Sequence, residues 1–516
     1  MEVMMARRKE HIGRQEESAG YEMSELEARK DRRLRRMEKQ KLKKSRTVGK
    51  FLVAVQALLT ILFLVSLFIL KLLPIAYCIA IAAVLILFVL YNYFTQYTKH
   101  YRTLGKIFSI ILSIILAFGS YYLIKTHDLF SAITGAGYKT SVISVYVLDD
   151  SNISSLSQMK DAAFGAQDFT DKSNTDFAIG KITDEIGQEP NVTYYDSFDD
   201  LVAALYDGSV SAIILNEAYL DTITEHYESF SDDTRFIASY TNKVKINVNN
   251  SSVAVTKESF NIYISGIDVY GNISKTSRSD VNIIATVNPL TKEILLTSTP
   301  RDSYVELISD DIPAGNMDKL THAGIHGVDC SMATLANLYE TDIDYFVRVN
   351  FSGFQEIIDA LGGITIENET AFTSHDGYYF AAGTLKLDGL HALHFARERK
   401  AFALGDVQRG MNQMKVIKAM ANEAMSSKLL ENYTEILASI EGSMETNFEQ
   451  SDIGALVQMQ LKEKMPEWTI TTNYVSGTSA SRKTYQSPNR NLSVYLLDDD
   501  SVAEAKEKIH TILNNK

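Results

Sequence analysis

Three long apolar stretches, Phe51–Leu70, Leu72–Tyr91 and Ile107–Ile124, stand out early in the chain. Each is about as long as the roughly 17–25 residues that cross the hydrocarbon of a bilayer. Residues 51–125 contain no Asp or Glu. A buried helix of a soluble protein can be this apolar once, but not three times in close succession. The pattern predicts three membrane helices, the first two joined by the very short turn Lys71-Leu-Leu-Pro74. Ahead of them, Glu16–Arg46 reads as a charged helix with many Glu/Arg and Glu/Lys neighbours.

From about Ser141 the pattern changes to short β-rich runs alternating with amphipathic helices. Val142–Leu148, Asn191–Tyr195 and Val210–Leu215 read as strands, Ser173–Ile186 and Phe198–Tyr206 as helices. This predicts a small α/β unit ending near the polar stretch Asn247–Ser252. A strand followed by Gly165-Ala-Gln-Asp168 and a helix, and later Asp207-Gly-Ser-Val-Ser-Ala-Ile-Ile214, resemble one lobe of a periplasmic solute-binding protein. One lobe cannot close over a solute, which favours an accessory or docking role.

A second unit starts at Phe260. Asn261–Gly266, Val281–Asn288 and Glu293–Ser298 read as strands, the last two apolar enough to be covered on both faces. Ser352-Gly-Phe-Gln355 reads as a capping-box start to a helix closed by Gly362-Gly363. Asp388–Phe395 reads as a short helix and Asp406–Ser426 as a long one with Asp406 as N-cap. Leu492–Leu497 and Ser501–Leu513 read as a final strand and helix. The expected fold class is α/β, with helices around a mixed central sheet. The expected divisions are a tail at 1–49, membrane helices at 50–125, the accessory unit at 140–248 and the main domain at 249–516.

Charge gives the arrangement a direction. Of the 516 residues, the first fifty hold 16 Lys+Arg against 9 Asp+Glu, and 51–125 hold five bases. The remainder carries 30 bases against 55 acids, a net of −25 within the overall −13. Lys99, Arg102 and Lys106 fall between the second and third spans, whereas the first loop offers only Lys71. The positive-inside rule then predicts a cytoplasmic tail and everything after about Lys125 outside. About fifty hydrophilic residues precede the first span, so no cleavable signal peptide is expected. The basic run Arg32–Arg46 suits contact with anionic lipid. The acidic outer part disfavours nucleic-acid binding, because phosphate neutralisation dominates such affinity. Cys78 and Cys330 imply no disulfide framework, which fits a single-membrane bacterial surface.

Only nine arginines follow the third span, and five of them fall in two windows. One is Gly266-Ile-Asp268, Thr276-Ser-Arg278-Ser-Asp280 and Thr299-Pro-Arg301-Asp302, at predicted strand ends where open α/β sheets place ligands. The other is Arg397-Glu-Arg399 and Gly405-Asp-Val-Gln-Arg409-Gly-Met-Asn-Gln413, with Arg409 and Gln413 one helical turn apart. Arginine's planar fork of donors suits phosphate. Five together would repel one another unless a polyanion lay between them. Asp268 and Asp280 are hard oxygen ligands suited to Mg2+ bridging phosphate oxygens. The set points to a pyrophosphate-containing ligand, against a background in which single arginines form ordinary salt bridges.

These segments, together with Asp318-Lys-Leu-Thr-His322-Ala and Leu361-Gly-Gly-Ile-Thr365, resemble the LytR-CpsA-Psr family. The three-span anchor and inserted accessory unit are similar to its capsule-associated CpsA branch from Gram-positive cocci. One departure is Asn412, where many relatives have arginine. The resemblance implies a membrane-anchored transferase that moves glycan phosphate, from capsular polysaccharide, from a polyprenyl-pyrophosphate carrier to peptidoglycan. Arg278, Arg301, Arg397, Arg399, Arg409 and Gln413 would hold the pyrophosphate, with Lys319 near the mouth. Asp268 and Asp280 would hold Mg2+, and either would accept the acceptor hydroxyl's proton. The lipid tail would enter an apolar cavity between sheet and helices. Capsule-assembly proteins are further expected partners, and His322 and His326 are expected to be structural. The alternatives are hydrolysis of the lipid pyrophosphate, a non-enzymatic regulator of capsule assembly or transcription, and a lipid-binding chaperone. No helix-turn-helix is visible in the first fifty residues, against direct DNA reading.

Overall fold

The computed structural model describes residues 2–98, 101–134, 137–246, 253–267, 273, 275–403, 405–424, 436, 439–463 and 466–515, with side chains from residue 29 onward. The chain divides into two compact units, Met1–Lys125 and Thr126–Lys516.

In the first unit the charged stretch and the first span form one helix, α1 (Glu2–Leu70), because no proline interrupts them. Lys71 adopts a left-handed backbone (φ 52°) and Pro74 caps α2 (Ile75–Thr95), which places the second span a few residues later than hydropathy alone suggests. The third helix, α3 (Arg102–Ile133), extends beyond the expected Ile107–Ile124 at both ends. All three are long and apolar enough to cross a membrane. Leu58, Ile61, Ile79, Leu87 and Ile111 are exposed on them, a surface suited to hydrocarbon rather than water. Between helices, the buried Asn92 side chain donates to Gln56 Oε1 at 2.6 Å, the kind of polar pair that joins helices in lipid.

Among the described residues, the second unit contains two large sheets and four two-stranded ones. The first has the order β3-β2-β4-β1-β5. Its strands are β1 (Tyr138–Leu148), β2 (Ala163–Gln167), β3 (Asn191–Tyr195), β4 (Ala212–Asn216) and β5 (Thr234–Lys245). Helices α4 (Lys172–Ile186) and α5 (Phe198–Tyr206) cover it, followed by the short α6 (Leu220–Thr224) and α7 (Phe230–Asp233). Alternation along β4 sends Ile213 and Leu215 to one packed face and Ala212 and Ile214 to the other. β5, unpredicted from sequence, alternates weakly and forms a long exposed edge.

The second sheet is mixed, in the order β16-β11-β6-β7-β8-β17. Its early strands are β6 (Phe260–Ile267), β7 (Ser279–Asn288) and β8 (Glu293–Ser298). A small ladder of β9 (Tyr304–Glu306) and β10 (Met317–Lys319) leads into α8 (Leu320–His326) and α9 (Val328–Tyr339). β11 (Tyr345–Asn350) joins β6 in parallel and α10 (Phe351–Ala360) follows. The capping expectation is corrected here. Asn350, not Ser352, is the N-cap, its side chain accepting from Gly353 N at 2.9 Å.

A layer of short strands comes next: β12 (Ile364–Asn368), β13 (Phe372–Thr373), β14 (Tyr379–Phe380) and β15 (Gly383–Leu387). Helices α11 (Gly389–Arg397) and α12 (Asp406–Ala424) follow. Asp406 is the first helical residue of α12 rather than its cap. The chain ends with β16 (Met444–Thr446), α13 (Gln450–Lys462), β17 (Thr469–Tyr474), the hairpin β18 (Gly477–Thr484)–β19 (Ser487–Leu497), and α14 (Asp499–Asn514).

Strand alternation again decides the layers. Tyr263, Ile284 and Leu295 pack under α8, α9 and α14 through Leu320, Leu335 and Ile509. Ile283, Ala285 and Leu296 face α12 through Met414. The domain is therefore α/β/α. The two sheets are tied together as well: Ile325 of α8 sits in the apolar core of the first sheet's α5 face. Lys139 reaches Asp329 at 3.6 Å, Lys275 reaches Glu217 at 3.3 Å, and Tyr485 donates to Phe169 O at 2.6 Å.

Candidate functional site

The end of β8 and the start of β7, which lie side by side, meet the first turn of α12 at one end of the mixed sheet's strands. Arg301 follows β8 and donates through Nη1 to Asp280 Oδ1 at 2.6 Å. Its loop is fixed from two sides: Thr321 N donates to Arg301 O at 2.8 Å, and Tyr495 N donates to Asp302 O at 2.8 Å. Lys319 Nζ lies 3.3 Å from Asp302 Oδ1. Arg409 pairs with Asp406 one turn earlier on α12. Arg399 is exposed, and the Arg397 guanidinium lies 4.4 Å from the centroid of the Phe351 ring.

Three of the cations therefore carry carboxylate partners of their own. This revises the expectation that only an added polyanion could balance the cluster: Asp280, Asp302 and Asp406 interleave with Arg301, Lys319 and Arg409. Arg399 lies close enough to lower the Asp406 carboxyl, and Arg397 stands two residues before it at the end of α11. Glu398 takes no part, because its carboxylate accepts from the backbone N–H groups of His375 and Ala401.

Burial and these neighbours set the protonation states. Burial would raise Asp302, but Lys319, Arg301 and Arg409 outweigh it and hold the carboxyl below its usual range. Burial raises Asp406, with Arg409 opposing and Asp302 adding to the rise. Burial works against the Arg301 charge, yet Asp280 and Asp302 hold that guanidinium above its ordinary value.

Arg278 stands apart from the other arginines. It is buried, with Nη1 donating to Glu225 Oε1 at 2.6 Å and Nη2 to Thr222 Oγ1 at 3.0 Å. Both partners belong to the accessory sheet's segment, so this arginine bridges the two sheets. Glu225 also feels Lys319 and His322, which makes it a carboxylate of the same charged neighbourhood. Asp268 lies outside the described residues. Asn412 is buried and donates to Phe395 O at 3.3 Å.

Beside the arginines lies an apolar cavity of about 350 Å³. Ile262, Ile264 and Val281 of the sheet form its floor, Phe354, Leu393 and Ile417 of α10–α12 its roof, and Arg397 and Gln413 join its lining. Gly266 is part of this floor, and a Cβ there would fall 2.7 Å from Val281 Cγ2. His322 Nδ1 pairs with Asp318 Oδ1 at 2.8 Å in full burial, and His326 is also buried. No group of three or more His, Cys, Asp or Glu side chains arranged to hold a metal occurs among the described residues. Asp280 offers one carboxylate at the cluster. Such a donor set suits Mg2+, which commonly takes one or two carboxylates and completes its shell with phosphate and water.

Sequence reasoning singled out the arginines and offered Asp302 as a salt-bridge partner of Arg301, which the structure places at 3.9 Å, but it missed Glu225 and Asp406 as partners, and Tyr474 and Tyr495 nearby. Asp302 was adjacent to Arg301 in the motif and Asp406 sat at i−3 from Arg409. Only Glu225, 53 residues from Arg278, left no local signal.

The family model described as LytR_cpsA_psr family matches residues 222–511. A second, described as DNA polymerase processivity factor, matches residues 99–215, which take in all of α3 and stop inside β4. A Bacillus cereus protein named polyisoprenyl-teichoic acid–peptidoglycan teichoic acid transferase TagU is 35% identical over 231 residues, 44% of this chain and 74% of that protein. The protein of the same name from Enterococcus faecalis is 32% identical over 278 residues, 53% of this chain and 84% of its own. Among solved structures, Bacillus subtilis TagV is 27% identical with a TM-score of 0.42, covering 50% of this chain and 99% of that one.

Proposed function

The chain belongs to the LytR_cpsA_psr family, and from that premise we propose that it transfers a glycan phosphate from a polyprenyl-pyrophosphate carrier to peptidoglycan. The observation that carries this reading is the apolar cavity of about 350 Å³ whose lining includes Arg397 and Gln413. An apolar chamber bordered by cations suits one kind of molecule, a hydrocarbon tail with an anionic head. A tail already in a bilayer gains little by moving into protein. What the cavity does is remove the cost of withdrawing the tail from the membrane, about 0.8 kcal/mol per CH2. The volume fits the first isoprene units rather than an entire long chain.

In this reading Arg301, Arg397, Arg399, Arg409, Gln413 and Lys319 bind the pyrophosphate, with Arg278 within reach once Glu225 releases it. An acceptor hydroxyl attacks the phosphorus nearer the sugar, and polyprenyl phosphate leaves. The protein's share is positioning and charge neutralisation, as in other phosphoryl transfers. Mg2+, held by Asp280 with Asp268, would add neutralisation of phosphate oxygens. The three apolar helices hold the enzyme at the surface that confines its substrate. The basic tail and second loop support a cytoplasmic N-terminus with the second unit outside. Capsular polysaccharide is the glycan proposed, on the likeness of the three-span anchor and accessory unit to the capsule-associated branch.

The test is a transfer assay with the full chain in bilayer nanodiscs, a polyprenyl-pyrophosphoryl glycan and peptidoglycan strands, read by mass spectrometry. Glycan phosphate on the strands is the expected product. Cleavage to free glycan phosphate at the same rate with and without strands would replace transfer by hydrolysis. Absence of both donor binding and turnover would reject the enzyme reading.

A further inference from the structure

A second, smaller cavity of about 130 Å³ adjoins the charged cluster, and its walls include Asp302, Asp406, Tyr474, Ser479, Ser493 and Tyr495. We propose that this cavity is the subsite for the acceptor sugar and that the Asp406 carboxylate takes the proton of the attacking hydroxyl. The inference rests on the transferase reading above and extends it to the acceptor side.

The order of residues along α12 is the first argument. Asp406 and Val407 line the small cavity, whereas Gln413, Ile417, Met420 and Ala421 line the apolar one. Arg409 lies between these two sets and pairs with Asp406. In-line displacement at phosphorus needs the attacking and leaving oxygens on opposite sides of the transferred group. Two chambers flanking one arginine provide for that: lipid phosphate departs toward the apolar one, and the alcohol enters from the polar one.

The second argument is the cavity's chemistry. Tyr474 and Tyr495 supply aromatic surface with polar tips, suited to a sugar's mixed C–H and O–H faces. The Tyr474 hydroxyl is buried in the wall and lies near the Tyr495 hydroxyl, so two polar tips are set together at the cavity. Its ring approaches so closely that a Cβ on Gly410 would meet Tyr474 Cε2 at 2.9 Å. Ser479 and Ser493 are exposed at the rim. The β18–β19 hairpin that carries them is docked on the Arg301 loop through Tyr495 N and Asp302 O, so acceptor and arginine are held in one frame.

The two carboxylates here are pushed apart, which separates their roles. Lys319, Arg301 and Arg409 keep Asp302 ionised, whereas burial lifts Asp406 toward the range where a base works. The charged and titratable groups facing Asp406 are Arg409 on its own helix, Arg301 and Asp302 on the β8 loop, Arg399 before α12, and Tyr474 and Tyr495 on β17 and β19. In the step, the acceptor O–H proton passes to Asp406 as the new O–P bond forms. The bond from that phosphorus to the bridging oxygen breaks, and the electron pair leaves with polyprenyl phosphate.

The experiment uses the full chain in nanodiscs, with polyprenyl-pyrophosphoryl N-acetylhexosamine as donor and peptidoglycan strands as acceptor. Donor binding, donor hydrolysis by water and transfer are measured separately. Ser479→Leu and Ser493→Leu, which obstruct the rim, are expected to raise the acceptor KM at least tenfold and leave donor hydrolysis within twofold. Asp406→Asn is expected to lower transfer kcat by about 10²–10³ and flatten the acid limb of its pH profile, with donor Kd within threefold. Wild-type acceptor KM in both rim variants overturns the subsite. Loss of donor binding in step with transfer in Asp406→Asn reduces that residue to a partner of Arg409 and overturns its role as base. A wild-type chain that neither binds nor turns over the donor overturns the transferase reading itself, and the subsite with it.

Discussion

Arg278 and Glu225 are joined by a 2.6 Å contact across the junction of the accessory and main sheets. The arginine is nearly buried, while the carboxylate retains 40% of its side-chain exposure. If Arg278 binds pyrophosphate as proposed, Glu225 competes with it for the same guanidinium. Burial opposes its ionisation, but Arg278, then Lys319 and His322, keep it below the usual carboxylate range. The accessory sheet's segment therefore contributes an anion beside the cationic cluster.

Glu225→Gln is expected to tighten donor binding several-fold, because a neutral amide competes weakly with pyrophosphate for the fork. Thermal stability should fall modestly, since Arg278 loses its charged partner when no donor is present. Titration with a short-chain prenyl pyrophosphate reads the first effect and thermal unfolding the second. A lower Tm with unaltered donor affinity would mean that Arg278 serves only the junction.

What the sequence made legible follows from how local each signal is. The three apolar runs, the buried strands β7 and β8, and α11 with its Asp388 cap all announce themselves within a dozen residues. The arginine windows were visible because arginine is rare after residue 125. Their pairing was less so, since Lys319 meets Asp302 and Arg278 meets Glu225 only through the tertiary fold. The small cavity's rim escaped for another reason: Ser479 and Ser493 sit on a largely exposed hairpin whose polar residues carry no distinctive pattern.

Arg301→Ala is expected to reduce transfer by about 10²–10³ if the guanidinium stabilises charge developing on phosphate. It should also leave Asp280 and Asp302 facing each other with less compensation. Arg301→Lys should recover little, because an ammonium lacks the planar fork that engages Asp280 and phosphate together. Full transfer activity in purified Arg301→Ala would remove this residue from the proposed machinery.

Filling the apolar cavity tests the lipid side separately. Ala421 lines the cavity on α12, so Ala421→Phe places an aromatic ring where the tail is proposed to lie. Affinity for a long-chain donor should fall at least tenfold. Affinity for a water-soluble pyrophosphoryl sugar without a tail should change less than twofold. Equal losses for both would indicate a general distortion around α12 rather than a blocked tail site.

The pH dependence of stability is set in part by two buried groups near the junction that pull in opposite directions. Burial pushes His326 down to about 4, with Asp318 opposing and Lys139 and His322 adding. Burial pushes Asp171 up to about 6, against hydrogen bonds from Asn216 and Asn174. Between about pH 4 and 6.5 the unfolded chain binds the His326 proton more readily, so that residue's contribution to stability grows as pH rises. Between about pH 3.8 and 6 the folded chain binds the Asp171 proton more readily, so its contribution shrinks as pH rises. Each shift of about two units corresponds to roughly 3 kcal/mol, and in the native chain the two largely cancel. Asp171→Asn removes the falling contribution, so unfolding of that variant should show stability climbing from about pH 4 to 6.5 more steeply than the parent. Parallel curves for the two proteins would show that Asp171 is not protonated in the folded state across this range.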